Sequence, residues 1–226
     1  IRNSLNLSQE LFAKSLGWGK KTVVRYENRQ SLPSPEYLSV YKKLLNNKME
    51  FIKILQERKN ILGKNEYYDI LNKVNTEMDI KTLNTFLYLL KDNPLSVTQL
   101  MKNFFAIDFL SYKKMSKPIT SFNYAHANFG PIIDNKDKYL NLLVNQGYLK
   151  LIYNDNDIVL FDTAVECDTN LFTDLEIDIL NEVKEKLKNK SAKVLTEWSH
   201  EFKGWINTKN GQIIDFKYAE DFDINV

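Results

Sequence analysis

Cysteine and histidine are almost absent from this 226-residue chain, which holds one Cys, Cys167, and two His, His126 and His200. A lone cysteine excludes an internal disulfide framework and any CxxC zinc site within these residues. Two histidines leave no basis for a metal centre, so neither a metal nor a cofactor is expected. No apolar run approaches the roughly 18 residues that a membrane span needs, and no signal peptide precedes the first motif. A cytoplasmic protein without a membrane partner is therefore expected. Paired carboxylates, clustered metal ligands and a Gly-rich phosphate loop at workable spacing are missing too, so the sequence reads as a non-enzyme with no catalytic residue to name. Glycine (7) and proline (5) are scarce, and each one counts as punctuation.

What remains is an ordinary globular composition, 43% hydrophobic and 27% charged, long enough for two units. The net charge of +2 hides an asymmetry. Residues 1–48 hold nine Lys and Arg against three Glu, a balance of +6, which leaves −4 for the rest. A basic head on a mildly acidic body is the distribution expected when one end meets a polyanion. The chain starts at Ile1, inside what reads as the end of a helix, so further residues are expected upstream.

The head reads as short helices. Ser8 is a good N-cap, Leu11, Phe12 and Leu16 form one buried stripe, and Gly17 stops the helix. Gly19 permits a tight turn into a second helix over 20–28, with Val23 and Tyr26 on one face and Lys21, Thr22 and Arg25 on another. That is the layout of a helix-turn-helix, whose second helix presents its N-terminal residues to the major groove. Ser34 and Pro35 then open a supporting helix through Tyr37, Leu38, Tyr41, Leu44 and Leu45.

LSQ, the apolar Phe12, Ala13 and Leu16, and GWGKKTVVRYENRQ with its following Pro resemble the Xre/Cro-like repressor helix-turn-helix, in particular the MqsA-type variant. The likeness covers about 45 residues, with the first helix of the motif truncated. It implies that Gln9, beside Ser8, binds backbone phosphate and that Lys20, Lys21, Thr22, Arg25 and Arg29 face DNA. Arg25 sits either in the groove or against a carboxylate of its own domain. The variant often follows a small zinc-binding segment.

Residues 49–93 read as a helical connector. Met49, Ile52, Leu55, Ile61 and Leu62 suggest one helix; Tyr67, Ile70, Leu71 and Val74 a second; Ile80, Leu83, Phe86, Leu87 and Leu90 a third, capped by Asp79. Gly63 and Asn93-Pro94 mark boundaries. Residues 94–226 form the last domain. Ser96 and Gln99 make a capping box for a helix that buries Leu100, Phe104, Phe105, Ile107 and Leu110 on one side and breaks at 116–118. Gly130-Pro131 reads as a rigid turn. A helix follows over 135–146, and YLKLIY and IVLF flank an Asn/Asp turn as a small β-hairpin. Thr173 and Glu176 open another helix through Leu187, and a last one spans 191–201. The fold class expected is mainly α, a helix-turn-helix bundle plus an α-rich, winged-helix-like domain with one hairpin.

FFAIDFLSYKK, KPITSFNYAHANFGPI and SAKVLTEWSHEFKGW make residues 82–218 resemble the Panacea domain, the antitoxin and proteolysis-adaptor family whose founding example is the SocA antitoxin. Ser121 stands where that family has Gly after Ile-Thr, and the hairpin is short. A helix-turn-helix commonly precedes the domain. The resemblance implies an antitoxin that neutralises a toxin protein through the C-terminal domain and binds its own promoter, double-stranded DNA, as a homodimer. Two other readings are a proteolysis adaptor that delivers a partner to an ATP-dependent protease, and a phage or mobile-element transcription regulator.

Ser199 and His200 invite a nucleophile reading, but neighbours on a helix do not face each other. His200, near Trp205, is expected to make buried hydrogen bonds. Tyr124, His126 and Asn128 read as an exposed polar and aromatic loop before Gly130 and Pro131. With Tyr112, Trp198, His200 and Trp205 they form the candidate partner-binding set. Cys167 reads as an inert packing residue.

Overall fold

The computed structural model describes residues 1–45, 48–75 and 77–226, which divide into two units, Ile1–Ile80 and Lys81–Val226. In unit 1 the Ser8 hydroxyl accepts the Leu11 amide at 3.1 Å and opens α1 (Gln9–Leu16). The turn into α2 (Lys20–Glu27) depends on Gly17, which is left-handed at φ 72°, while Gly19 is extended at φ −73° and ψ 138°. The tight turn assigned to Gly19 from sequence thus belongs to Gly17. α3 (Pro35–Leu44) starts on proline, which has no N–H to leave unpaired. The helix expected over 49–62 breaks at Arg58 into α4 (Lys48–Glu57) and α5 (Lys59–Leu62), and α6 (Lys64–Val74) follows. The connector packs with the helix-turn-helix: Phe12 and Phe51, both fully buried, stack at 6.1 Å, and Lys14 meets Glu66 at 2.7 Å.

Unit 2 is built around one helix. α7 (Ile80–Leu90) leads to α8 (Val97–Met115), whose capping box of Ser96 and Gln99 forms as the sequence suggests. The amphipathic pattern expected of α8 is replaced by burial all round, since every residue from Leu100 to Ser111 is inside. Lys102 and Asp108 are part of that interior, both 0% exposed. Asp108 accepts from the amides of Ile119 and Thr120, both at 2.9 Å, from the Thr120 hydroxyl and from the Tyr124 hydroxyl at 2.6 Å. Burial pushes the Asp108 carboxyl up to about 6 against the pull of these donors. Lys102 donates through Nζ to the carbonyls of Phe129 and Pro131, and burial lowers its ammonium to about 7.

These contacts create a hairpin the sequence did not announce. β1 (Tyr124–Ala127) pairs antiparallel with β2 (Gly130–Ile133), so Gly130 and Pro131 open a strand and the turn is Asn128-Phe129. Pro131 lies opposite His126, whose own amide turns outward to Gln212 O at 2.9 Å. No ladder donor is needed from Pro131, so proline is tolerated there. Gln212–Ile214 closes the far edge of β1. α9 (Lys136–Asn145) leads to the expected hairpin, β3 (Lys150–Tyr153) and β4 (Val159–Asp162). α10 (Asp174–Leu187) carries the second capping box, Thr173 with Glu176, and α11 (Ala192–His200) and the short α12 (Lys203–Ile206) follow. Around α8, Phe105 has the rings of Phe109, Phe202 and Phe222 within 5.3 Å. Burying each such ring contributes roughly 1.5–3 kcal/mol.

These placements set two expectations for stability. Gly17→Ala is expected to cost about 1–2 kcal/mol for the left-handed backbone, whereas Gly19→Ser should be neutral or stabilising by about a few tenths of a kcal/mol as an added N-cap; denaturant titration of the full chain ranks them, and equal costs would contradict the assignment. Asp108→Ala strands four buried donors and should cost more than about 3 kcal/mol. Asp108→Asn, which keeps an acceptor for the two amides, should cost less in the same titration.

Candidate functional site

The DNA-facing candidates lie on α1 and α2 of unit 1. Lys21, Arg25 and Arg29 are exposed and make no ion pair among the described residues, so Arg25 is not tied to a carboxylate of its own domain. Lys20 is exposed and 3.3 Å from Glu10, a surface pair worth about 0–1 kcal/mol. Thr22 is half-buried, and the Ser8 hydroxyl is used by the α1 cap. Gln9 donates through Nε2 to Glu27 at 2.7 Å, and the same carboxylate accepts from Arg2 Nε at 2.6 Å. Burial raises the Glu27 carboxyl, but the donors Arg2 and Gln9 outweigh it and hold it below the usual range. Glu27 thereby ties the start of α1 to the end of α2 and fixes their mutual angle.

Behind α2 stands an aromatic wedge that sequence reasoning left unassembled. Trp18 in the turn meets Tyr37 at 4.7 Å and Tyr41 at 5.1 Å, and Tyr26 meets Tyr37 at 5.6 Å. The signal was present as Trp18, Tyr26, Tyr37 and Tyr41, but their meeting depends on the angle between helices. Arg29 occupies the left-handed position after α2 at φ 57°, with its amide on Tyr26 O at 3.2 Å and Gln30 N on Arg25 O at 2.9 Å. Glycine is the usual occupant of that cap, and a side chain there costs about 1–2 kcal/mol.

In unit 2 the candidate partner residues separate into two groups. Tyr124, Gly130, Pro131 and Trp198 are buried, so they do not offer the exposed surface expected of them. Tyr124 turns its hydroxyl to Asp108 and Phe104 O, and Trp198 lies 6.0 Å from Phe105. A Cβ on Gly130 would stand 2.2 Å from Ser199 Oγ and 2.7 Å from Lys102 Nζ, which excludes any side chain there. Tyr112 is half-buried and stacks on Phe216 at 5.0 Å. The rest line the hairpin's open side. Trp205 is sandwiched between His126 at 4.2 Å and His200 at 4.1 Å, and Asn128 is exposed. His126 Nδ1 contacts Trp205 O at 2.9 Å, and Trp205 Nε1 donates to Ala127 O at 3.1 Å. His200 bonds the Asn128 backbone, while its buried Nε2 has no partner among the described residues. Burial and Lys102 push its imidazole below the usual range.

Ser199 donates to Thr196 O at 2.9 Å, away from any relay with His200. A cleft of about 450 Å³ beside Tyr88 and Cys167 is lined by lysines that are already engaged: Lys91 with Glu166 at 2.8 Å and Lys184 with two backbone carbonyls. Burial pushes the Cys167 thiol up to about 12, which suits the packing role read from sequence. Among the described residues no three His, Cys, Asp or Glu converge as a metal site, and no helix is long and apolar enough to cross a membrane. Phe129, which the sequence reading did not single out, is 69% exposed at the hairpin tip.

Comparison with known families finds a match in each unit. The model of the "Antitoxin SocA-like, Panacea domain" matches residues 100–206, the span from the interior of α8 through both hairpins to the end of α12. A helix-turn-helix model matches residues 1–52, from the chain start into α4. No curated protein and no solved structure matches the chain. The chain thus joins an N-terminal helix-turn-helix domain of the Xre-like kind to a domain of the SocA-like Panacea antitoxin family.

Proposed function

We propose that this protein is the antitoxin of a toxin–antitoxin module: unit 2 binds and neutralises a toxin protein, and unit 1 binds the module's promoter and represses it. The observation that carries the reading is the conjunction of a helix-turn-helix at 1–52 with a SocA-like Panacea domain at 100–206 in one chain. The charge distribution supports it. Unit 1 holds 14 Lys and Arg against nine acids, unit 2 17 against 20, so cations concentrate where DNA would bind. Lys20, Lys21, Thr22 and Arg25 enter the major groove in this reading, and Arg29, Ser8 and Gln9 lie toward phosphate. An arginine at a left-handed cap, at a conformational cost, fits a phosphate contact. The DNA-bound form is a homodimer, because one helix-turn-helix reads too few base pairs and operators mirror a two-fold axis.

The test uses the full chain and a duplex of its own promoter. Lys20→Ala with Lys21→Ala is expected to weaken binding and to lower the slope of log K against log salt by about 0.9 for each phosphate that the variant no longer neutralises. An unchanged affinity at matched salt would overturn the DNA assignment. For the other half, the tagged chain from its native host should bring down one stoichiometric protein that is toxic when expressed alone; recovery of DNA with no protein partner would refute the antitoxin reading.

A further inference from the structure

Of the 13 phenylalanines, only Phe129 stands exposed, at 69%. A single exposed apolar side chain needs no explanation by itself. The backbone beneath this one is different, because three helices hold it. Lys102 of α8 binds the carbonyls of Phe129 and Pro131, Trp205 of α12 binds that of Ala127, and His200 of α11 bonds the Asn128 backbone. The turn has therefore given up its conformational freedom before any partner arrives. A rigidly presented aromatic ring sacrifices little entropy on binding, and such rings are the anchors on which interfaces concentrate their affinity. Ile206 of α12 is 58% exposed, and Ile213, bridged to Ala125 of β1, is 48% exposed.

Charge narrows the occupant. Unit 2 carries 20 carboxylates, yet among the described residues none pairs with or hydrogen-bonds Lys102, His126, His200 or the exposed Lys209. The two segments that build the tip, 124–133 and 202–214, contain no Asp or Glu, and Lys209 stands exposed on the second. A second copy of this tip offers no carboxylate to Lys209, so the charge favours a different, acidic partner surface. The β3–β4 hairpin also exposes apolar groups, Leu151 at 47% and Tyr153 at 68%, but its turn carries Asp155 and Asp157.

We propose that the β1–β2 tip is the surface on which the partner protein docks, with Phe129 entering an apolar pocket of the partner whose rim carries carboxylates facing Lys209. This rests on the reading of unit 2 as a protein-binding domain, and the experiment separates the two. The tagged full-length chain is expressed in its native host, the protein that co-purifies stoichiometrically with the wild type is identified, and its affinity is measured for variants. Phe129→Ser should weaken it about tenfold or more, with Phe129→Leu intermediate and with the melting midpoint shifted by no more than about 2 °C, as for an exposed site. Lys209→Glu should weaken it and reduce its salt dependence, while Leu151→Ser with Tyr153→Ser should leave it unchanged. A benzoylphenylalanine at 129 should crosslink to the same protein, and one at 153 should not; this holds even if Phe129→Ser disturbs the fold. Full retention by Phe129→Ser, or crosslinking from 153 alone, overturns the surface and leaves the protein-binding reading standing. If the wild type recovers no partner, both fall together.

Discussion

Helix α8 carries a lysine and an aspartate into the interior of unit 2, and the segment 119–131 is hung between them. Six residues separate Lys102 from Asp108, about 9 Å along a helix. Asp108 takes the start of the segment, through the amides of Ile119 and Thr120 and the hydroxyls of Thr120 and Tyr124. Lys102 takes its end, through the carbonyls of Phe129 and Pro131. A buried charge is tolerated when it is fully hydrogen-bonded or can discard its proton. Asp108 satisfies the first condition. Lys102 has no carboxylate, and with its ammonium lowered to about 7 it can lose a proton and still keep two N–H donors for two carbonyls. The aromatic packing around α8 supplies stability, but these two side chains select which loop lies against it and in which register.

Unit 1 solves a smaller problem with the same device. Glu27, fed by Arg2 and Gln9, does for the angle between α1 and α2 what Asp108 does for the 119–131 segment. Trp18, Tyr26, Tyr37 and Tyr41 fill the space behind α2. One face of α2 is thus committed to aromatic packing and the other is left to cations. Both units place their candidate contact residues on backbone fixed from behind, which is the requirement for recognition without a large ordering cost.

Local chemistry was legible in the sequence; assembly was less so. Ser8, Ser96 with Gln99, and Thr173 with Glu176 announced helix starts because a cap is a contact within four residues. The β3–β4 hairpin was legible from alternating strands about an Asn/Asp turn. Gly130-Pro131 misled because those residues usually make turns, and only the distant Gln212–Ile214 and Lys102 draw them into a strand. α8 misled because the reading placed only Leu100, Phe104, Phe105, Ile107 and Leu110 inside, whereas Lys102 and Asp108 are buried too by partners up to 29 residues away. Tyr124 looked like an exposed ring and proved a buried hydrogen-bond donor for the same reason. Of the candidate contact residues, the cations of α2 follow from helical spacing alone, whereas the exposure of Phe129 depends on the hairpin.

The covering of α8 also dictates an order of assembly. The helix is made early in unit 2, but Phe105 and Phe109 are covered in part by Phe216 and Phe222, more than a hundred residues later. During synthesis at roughly 5–20 residues per second, α8 emerges seconds before its last apolar cover exists. Through that interval its phenylalanines are open to proteases and to other chains, so the closing segment 216–224 sets when a newly made molecule first becomes safe from its own core.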